Sequence, residues 1–422
     1  MPREVGRGSG SPGRDELPPR GWPDDFVSGA SDRDALLVLS HLDGLTPRRL
    51  HALAWAEGSA RGCLAAVRRG RAGSSGDRAR VAGVSPEAVR AILTRLGARQ
   101  VCPDEEAYPP QLLDLPDPPA SLFVVGRMLS PAPPAVAVVG ARRCSAYGRE
   151  IARGLGGGLA TAGLTVVSGA ALGIDAAAHR GALSSDPHAR ADRAPGEQPD
   201  ESRFSTIAVL GSGIDVFHPP SNRGLIQEIT AAGAILSEYP PGTPALPWRF
   251  PARNRLVAGL SRAVVVVEGG PGSGSMITAE FALDLGRDVF GVPGPVTSPL
   301  SAVPHLLIRD GAWLARGPED VLEVLGFEAP GLHVGGPEAA DGRGNAPASE
   351  VPGAIGLLSP MERRALEAVA GDAVTVDAVA QDTGLPIGQT LSVLVALELR
   401  GLVREVAGRY ERTAGAARLS DR

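Results

Sequence analysis

From Val136 to Val292 the chain alternates short apolar runs with helical stretches. The runs are Val136–Val139, Leu164–Val167, Ile207–Leu210, Ala234–Leu236, Val264–Val267 and Val289–Val292. Apart from Thr165, each is apolar at consecutive positions, so each predicts a strand buried on both faces. Buried strands separated by helices predict a parallel sheet covered on both sides, because parallel neighbours need crossover connections. The expected fold class is α/β, a Rossmann-like doubly wound parallel sheet over residues 101–328. The polar, Pro-containing stretch 184–205 interrupts one helix-to-strand connection and predicts a flexible surface insertion.

The flanks follow other patterns. Leu36, Leu37, Leu39 and Leu42 predict one apolar helix face, Thr46-Pro47 a capped helix start, and Ser85-Pro86-Glu87 another that runs to Leu96. Residues 30–100 are therefore expected to form a small helical domain of the SAM or helix-hairpin-helix type. Its Gly44-Leu45-Thr46-Pro47 joint could offer backbone N–H groups to a phosphate, although a packing or docking role fits as well. Residues 1–29 are rich in Gly, Pro and Arg without an apolar run, which predicts a disordered tail and not a secretory signal. Residues 329–355 read as a linker. Beyond it, Ser359-Pro360-Met361-Glu362 starts a capped helix, helices follow near 376–383 and 387–400, and a hairpin covers 401–410. Three helices and a hairpin predict a winged helix within 356–414. Its second helix of the helix-turn-helix carries Gln389, Thr390, Ser392 and Glu398 but a single arginine, Arg400, which favours protein docking over duplex reading.

Composition narrows the chemistry. Gly and Pro make up about 22% of the chain, well above average usage, and aromatics only 4%, so the cores must rest on Ala, Val and Leu. The sequence contains no lysine: all 42 basic residues are arginine. That excludes a phosphate-loop lysine, a Schiff-base lysine and a kinase-type ATP-pairing lysine. A net charge of −5 gives no global positive field, so nucleic-acid affinity would need a local arginine cluster. Cys63, Cys102 and Cys144 form no C-x-x-C and suggest neither a zinc site nor a disulfide framework, and no apolar run approaches a membrane span. A cytoplasmic protein without cofactor or metal is expected.

The candidate chemistry sits in the turns after the strands. Gly140-Ala141-Arg142-Arg143 follows the first strand of the series and opens a helix, a setting that leaves N–H groups and a positive dipole for an anion, with two arginines to add phosphate contacts. Ser168-Gly169-Ala170 through Asp175 and His179 repeats the arrangement; Asp175 and His179 lie four apart, so an acid–base pair is conceivable, but a structural role is favoured. Gly211-Ser212-Gly213 has G-x-G without the third glycine of a dinucleotide fingerprint, and Asn222-Arg223 follow it. Arg249, Arg253 and Arg255 fall in an acid-free stretch from Tyr239 to Val267, with Trp248 and Phe250 as possible stacking platforms or core. Glu268-Gly269-Gly270 through Ser273-Gly274-Ser275 has the shape of a phosphate cradle, but without lysine it is no Walker loop.

Taken in order, these segments resemble the DNA processing protein A family (DprA, also called Smf). The resemblance spans roughly Tyr108 to Ala312. It rests on Tyr108-Pro109, Asp117-Pro118-Pro119, Val138-Val139-Gly140-Ala141-Arg142, Ser168-Gly169-Ala170 with Gly173-Ile174-Asp175 and Ala178-His179, Phe250-Pro251-Ala252-Arg253-Asn254-Arg255, and Ser273-Gly274-Ser275 with Thr278-Ala279. It implies an extended Rossmann fold that binds single-stranded DNA, forms a homodimer and loads RecA recombinase onto incoming strands during natural transformation. By the same resemblance Arg142 lies in a basic pocket to which Asn222 and Arg223 contribute. The strand-binding residues expected are Gly140, Arg142, Arg143, Ser168, Gly169, Gly211, Gly213, Asn222, Arg223, Arg253, Asn254, Arg255, Ser273, Gly274 and Ser275, acting without turnover. The chain departs from the family pattern at His218-Pro219 and at Ser301-Ala302-Val303-Pro304-His305. Two rivals remain: a nucleoside-monophosphate phosphoribohydrolase-like enzyme drawing on Glu268 and Glu280, and a transcription regulator acting through the winged helix.

Overall fold

The computed structural model describes residues 19–127, 134–185, 205–327, 360–369, 374–399, 402–406 and 409–412. The chain divides into two compact units, Met1–Val334 and Gly335–Arg422. The first opens with five helices, α1 (Ala30–Leu39), α2 (Pro47–Glu57), α3 (Ala60–Arg68), α4 (Ser75–Gly83) and α5 (Pro86–Arg95), of which α2 to α5 are N-capped by Thr46, Ser59, Ser74 and Ser85. Helix α1 does not carry a single apolar stripe. Ala35 to Leu39 are all buried, because Leu36 and Leu39 enter the core of the helical module while Leu37 packs with Phe123 of the sheet. The expected tail also ends earlier than Gly29: Trp22 stacks on Phe26 at 4.2 Å, and Phe26 is 1% exposed in the module core. Two aromatic rings supplied an anchor that Gly and Pro content had masked. The expected hairpin-turn donor is occupied, since Gly44 N–H donates to Asp77 at 3.1 Å.

The sheet follows. Its elements are β1 (Ala98–Val101), β2 (Leu122–Gly126), β3 (Ala135–Val139), α6 (Ala146–Thr161), β4 (Thr165–Ser168), α7 (Ile174–Ser184), β5 (Thr206–Val209), α8 (Arg223–Ala232), β6 (Ala234–Ser237), α9 (Arg249–Gly259), β7 (Ala263–Val266), α10 (Gly274–Asp284), β8 (Asp288–Gly291), α11 (Ala302–Arg309), β9 (Trp313–Leu314) and α12 (Pro318–Leu325). The strand order is β1-β2-β6-β5-β4-β3-β7-β8-β9. Strands β3 to β9 pair in parallel, while β1 and β2 add an antiparallel extension through the β2–β6 pairing. The six expected strands lie within one residue of those observed; β1, β2 and β9 are additional. Chain direction across the sheet reverses at β3, whose neighbours are β4 and β7. One face of the sheet packs Val136, Val138, Val166 and Val265 against α6 and α7, and the other packs Ala137, Val139, Val167 and Val264 against α9 and α10.

The second unit holds α13 (Pro360–Ala368), β10 (Val374–Thr375), α14 (Val376–Thr383), α15 (Ile387–Leu399), β11 (Val403–Val406) and β12 (Arg409–Arg412), the last two antiparallel. Strand β10 pairs with β12 and completes a three-stranded wing sheet that the expected hairpin lacked. The expected insertion and linker lie almost wholly outside the described residues.

The glycine run in α6 has a packing cause. A Cβ on Gly156 would fall 2.1 Å from the Ala178 carbonyl oxygen, and one on Gly181 would fall 2.0 Å from that of Arg153, so α6 and α7 touch backbone to backbone. Gly181→Ala should therefore lower stability by about 1–3 kcal/mol in urea unfolding, the range for overpacked cores. Gly224→Ala, whose Cβ would meet nothing within 4 Å, should not.

Candidate nucleic-acid interface

Ligands of doubly wound sheets lie beyond the carboxyl ends of the strands where the winding reverses. A cavity of about 590 Å3 occupies that position here, walled by the turns after β3, β4 and β7 and by the first half of α9. It brings together Gly140, Arg142, Gly169, Arg253, Asn254, Ser273, Gly274 and Ser275 of the expected set. Phe250, His218, Asp175, Pro247 and Thr278 also line it.

Helices α6, α7 and α10 are among those that start at this edge, and their N-terminal N–H groups converge on it. Carboxylates of the chain itself bond to backbone N–H groups at two of these turns. At α6, Glu268 is 5% exposed and accepts from Ser145 N–H at 2.8 Å and Ser145 Oγ at 2.5 Å, while its carbonyl accepts from Ala141 N–H at 2.8 Å. Ser145 Oγ in turn caps Gly148 N–H. Glu268 thus sits where the first glycine turn was expected to receive an external anion. At the second turn, the buried carboxylate of Asp175 accepts from Gly169 N–H at 3.1 Å and Ala171 N–H at 3.3 Å. Burial pushes the Asp175 carboxyl above its ordinary range, and the Arg253 guanidinium opposes that shift.

The third helix start has no carboxylate among the described residues; its cap is the Ser273 hydroxyl. Ser275 N–H has only the Ser273 hydroxyl at 3.3 Å, the hydroxyls of Ser273 and Ser275 lie 2.8 Å apart, and Asn254 braces the turn by donating to the Gly274 carbonyl at 3.1 Å. Opposite it, exposed Arg142 lies over the Phe250 ring at 5.1 Å, and the His218 ring is 5.3 Å from the same ring. The cavity therefore offers an N-terminal helix dipole, two hydroxyls, an exposed cation on an aromatic face and a second ring.

The remaining expected contacts have other duties. Arg255 is 4% exposed and held by Glu238 at 2.7 Å and Asp117 at 3.2 Å, so it is a buried ion-pair centre and not part of the groove. Arg253 reaches the cavity floor but is also 4% exposed; it donates to the Val209 carbonyl at 2.6 Å and fills the space a side chain on Gly169 would need. Burial lowers its pKa to about 10, which leaves it charged at neutral pH. Asn222 is buried and donates to the carbonyls of Ala170 and Ala171, stabilising Ala170 at a φ of 53°. Ser168 Oγ donates to the Val138 carbonyl. Gly211 admits Arg249 and Phe250, and Gly213 admits Pro240 and Thr243, so both serve close packing. Arg143 is exposed outside the cavity lining, and Arg223 stacks on Phe217 at 5.5 Å. His218 and Asp175 are among the lining residues outside the expected set; Asp175, for which a structural role is favoured over an acid–base pair, has a structural role here, accepting from Gly169 and Ala171 N–H.

A family model described as DNA recombination-mediator protein A matches residues 99–326. The chain belongs to the DNA processing protein A family. A DprA winged helix domain model matches residues 346–409. The chain is 40% identical over 311 residues to Protein Smf of Escherichia coli, covering 73% of this chain and 76% of that one. To a DNA processing protein DprA of Mycobacterium tuberculosis it is 38% identical over 363 residues, covering 82% and 85%. The X-ray structure of DNA processing protein A from Streptococcus pneumoniae matches with a TM-score of 0.50 at 38% identity, over 60% of this chain and 81% of that one. Among the described residues, no helix is long and apolar enough to cross a membrane.

His179 does not pair with Asp175. Its Nδ1 lies 2.7 Å from Thr206 Oγ1, whose own proton goes to the Val166 carbonyl, so Nδ1 carries the hydrogen. Burial, aided by Arg253 and Arg180, lowers its pKa from 6.5 to about 3. Between those values the unfolded chain binds a proton that the folded chain does not. Stability is thus complete above pH 6.5 and falls by about 1.4 kcal/mol per unit as the pH drops. His179→Gln removes this slope, so its urea midpoint should gain on the wild type as the pH is lowered from 7.5 to 5.

Proposed function

We propose that the cavity and the surface around it bind single-stranded DNA stoichiometrically, without turnover. The observation that carries this reading is the pairing of a helix N-terminus without a carboxylate, at Ser273 to Ser275, with exposed Arg142 across an aromatic wall. A phosphate fits the dipole and the cation, and a base fits the ring. Arg143 and Arg223 extend the positive surface beyond the cavity, while Arg253 contributes charge from beneath it.

The absence of turnover is supported by the fate of the acids. Asp175, the carboxylate lining the cavity, is committed to backbone N–H groups, Glu268 is committed to Ser145, and Glu280 is exposed outside the lining. A phosphoribohydrolase reading would need one of them free. The regulator reading draws little from the described part of the winged helix: α14 and α15 carry Asp377, Asp382 and Glu398 with no arginine from 374 to 399, and Thr390 turns inward to the Pro386 carbonyl. Loading of RecA is supported by the family's description as a recombination mediator. A homodimer is supported by the sheet edge, where β9 exposes Trp313 and Leu314. Action in the cytoplasm follows from such a role.

Fluorescence anisotropy with labelled poly-dT and with duplex of equal length tests the reading. The wild type should prefer poly-dT, and Arg142→Ala should weaken binding about tenfold and flatten the log–log salt slope by about 0.7 per phosphate contact removed. Equal weak binding of both DNAs, or unchanged binding by Arg142→Ala, would overturn it.

A further inference from the structure

A second cavity, about 820 Å3, lies where the helical module meets the sheet. Arg249, Ala252 and Arg255 of α9 face it, whereas Phe250, Arg253 and Asn254 face the groove. Its apolar walls include Leu39, Leu42 and Leu50 from the module and Pro244, Leu246 and Trp248 from the segment before α9. Trp248 is 58% exposed, unusual for so large a ring, and Leu246 is 36% exposed.

The three buried arginines of α9 are not equally compensated. Arg255 has two carboxylates, at 2.7 and 3.2 Å, and Arg253 has the field of Asp175. Arg249 is 5% exposed and lies against the rings of Trp248 at 4.8 Å and Tyr239 at 4.9 Å. It donates to the Pro244 carbonyl at 2.7 Å, and its Nε has no partner among the described residues. Its ion pair is with Asp43 at 3.4 Å, which is 63% exposed and closer to Arg80, at 2.8 Å. At the other end of the cavity Asp117 and Glu238 are closed off by Arg255, and burial keeps the His41 imidazole below its usual pKa and so uncharged at neutral pH. A buried cation on the wall of an apolar cleft, sharing one solvent-exposed carboxylate, is complementary to an anion with an apolar body.

We propose that this cleft between the helical module and the sheet binds a small amphiphilic anion, an aromatic or aliphatic body bearing one carboxylate, sulfonate or phosphate. The body packs on Trp248 and the leucine wall, and the anionic group meets Arg249. Nothing in the proposal requires DNA in the groove.

The probe is 1-anilinonaphthalene-8-sulfonate, an aromatic sulfonate that fluoresces when bound out of water, titrated into the full chain. Saturable binding of one probe per chain is expected. Arg249→Met should weaken it about tenfold through loss of the charge-assisted contact. Leu246→Trp, which narrows the cleft and leaves Arg249 in place, should weaken it as well without lowering the melting temperature, so a folding defect in the first variant does not decide the matter. Indole-3-acetate and the peptide Gly-Gly-Gly-Trp with a free carboxylate are then added as competitors. Displacement by the first assigns a free small molecule, and displacement by the second but not by its amide assigns a chain end. Unsaturable fluorescence, displacement by neither competitor, or wild-type affinity in both variants would overturn the proposal.

Discussion

Helix N-termini line the carboxyl edge of one parallel sheet, those of α6, α7 and α10 among them, and their combined positive potential has to be met by negative charge. The chain supplies two carboxylates of its own. Glu268 closes the start of α6 and Asp175 ties down the turn before α7, whereas the start of α10 has no carboxylate among the described residues and is capped by the Ser273 hydroxyl. The arrangement gives the site both its rigidity and its selectivity. The turns carrying Arg142 and Gly169 are fixed by internal charge-assisted hydrogen bonds, so the carboxylate-free start of α10 and the exposed Arg142 hold their positions relative to each other.

Helix α9 carries this order into the rest of the first unit. Arg253 runs under the β4 turn, Arg255 ties the helix to Glu238 and Asp117, and Arg249 reaches Asp43 of the helical module. Removing the partners of such buried charges would cost several kcal/mol, on the order of 3–5 for a broken pair. One helix therefore forms a wall of the groove and a wall of the cleft, and successive residues from Arg249 to Asn254 are shared between the two cavities.

Much of the fold was legible because strands such as Ala135–Val139 and Ala263–Val266 are buried on both faces and consist of Ala and Val alone. Leu122–Gly126 has similar character but precedes the strand–helix repeat and pairs antiparallel, so periodicity did not attach it to the sheet. The site was half legible. Glycine turns and Arg142 announce themselves, but the duties of Arg253 and Arg255 do not. They lie in a stretch without acids, bounded by Glu238 and Glu268, and look like free phosphate contacts. Their compensating carboxylates, Asp117, Asp175 and Glu238, arrive from other strands and turns through the tertiary fold. A linear count of charge cannot show that.

The most direct test of this account is amide hydrogen exchange of the full chain with and without a saturating dT oligonucleotide, resolved residue by residue at the three turns. The account predicts new protection at Gly274 and Ser275, and no change at Gly169 and Ala171, whose N–H groups already bond to Asp175. Protection gained at Gly169 and Ala171 with none at Gly274 and Ser275 would contradict it.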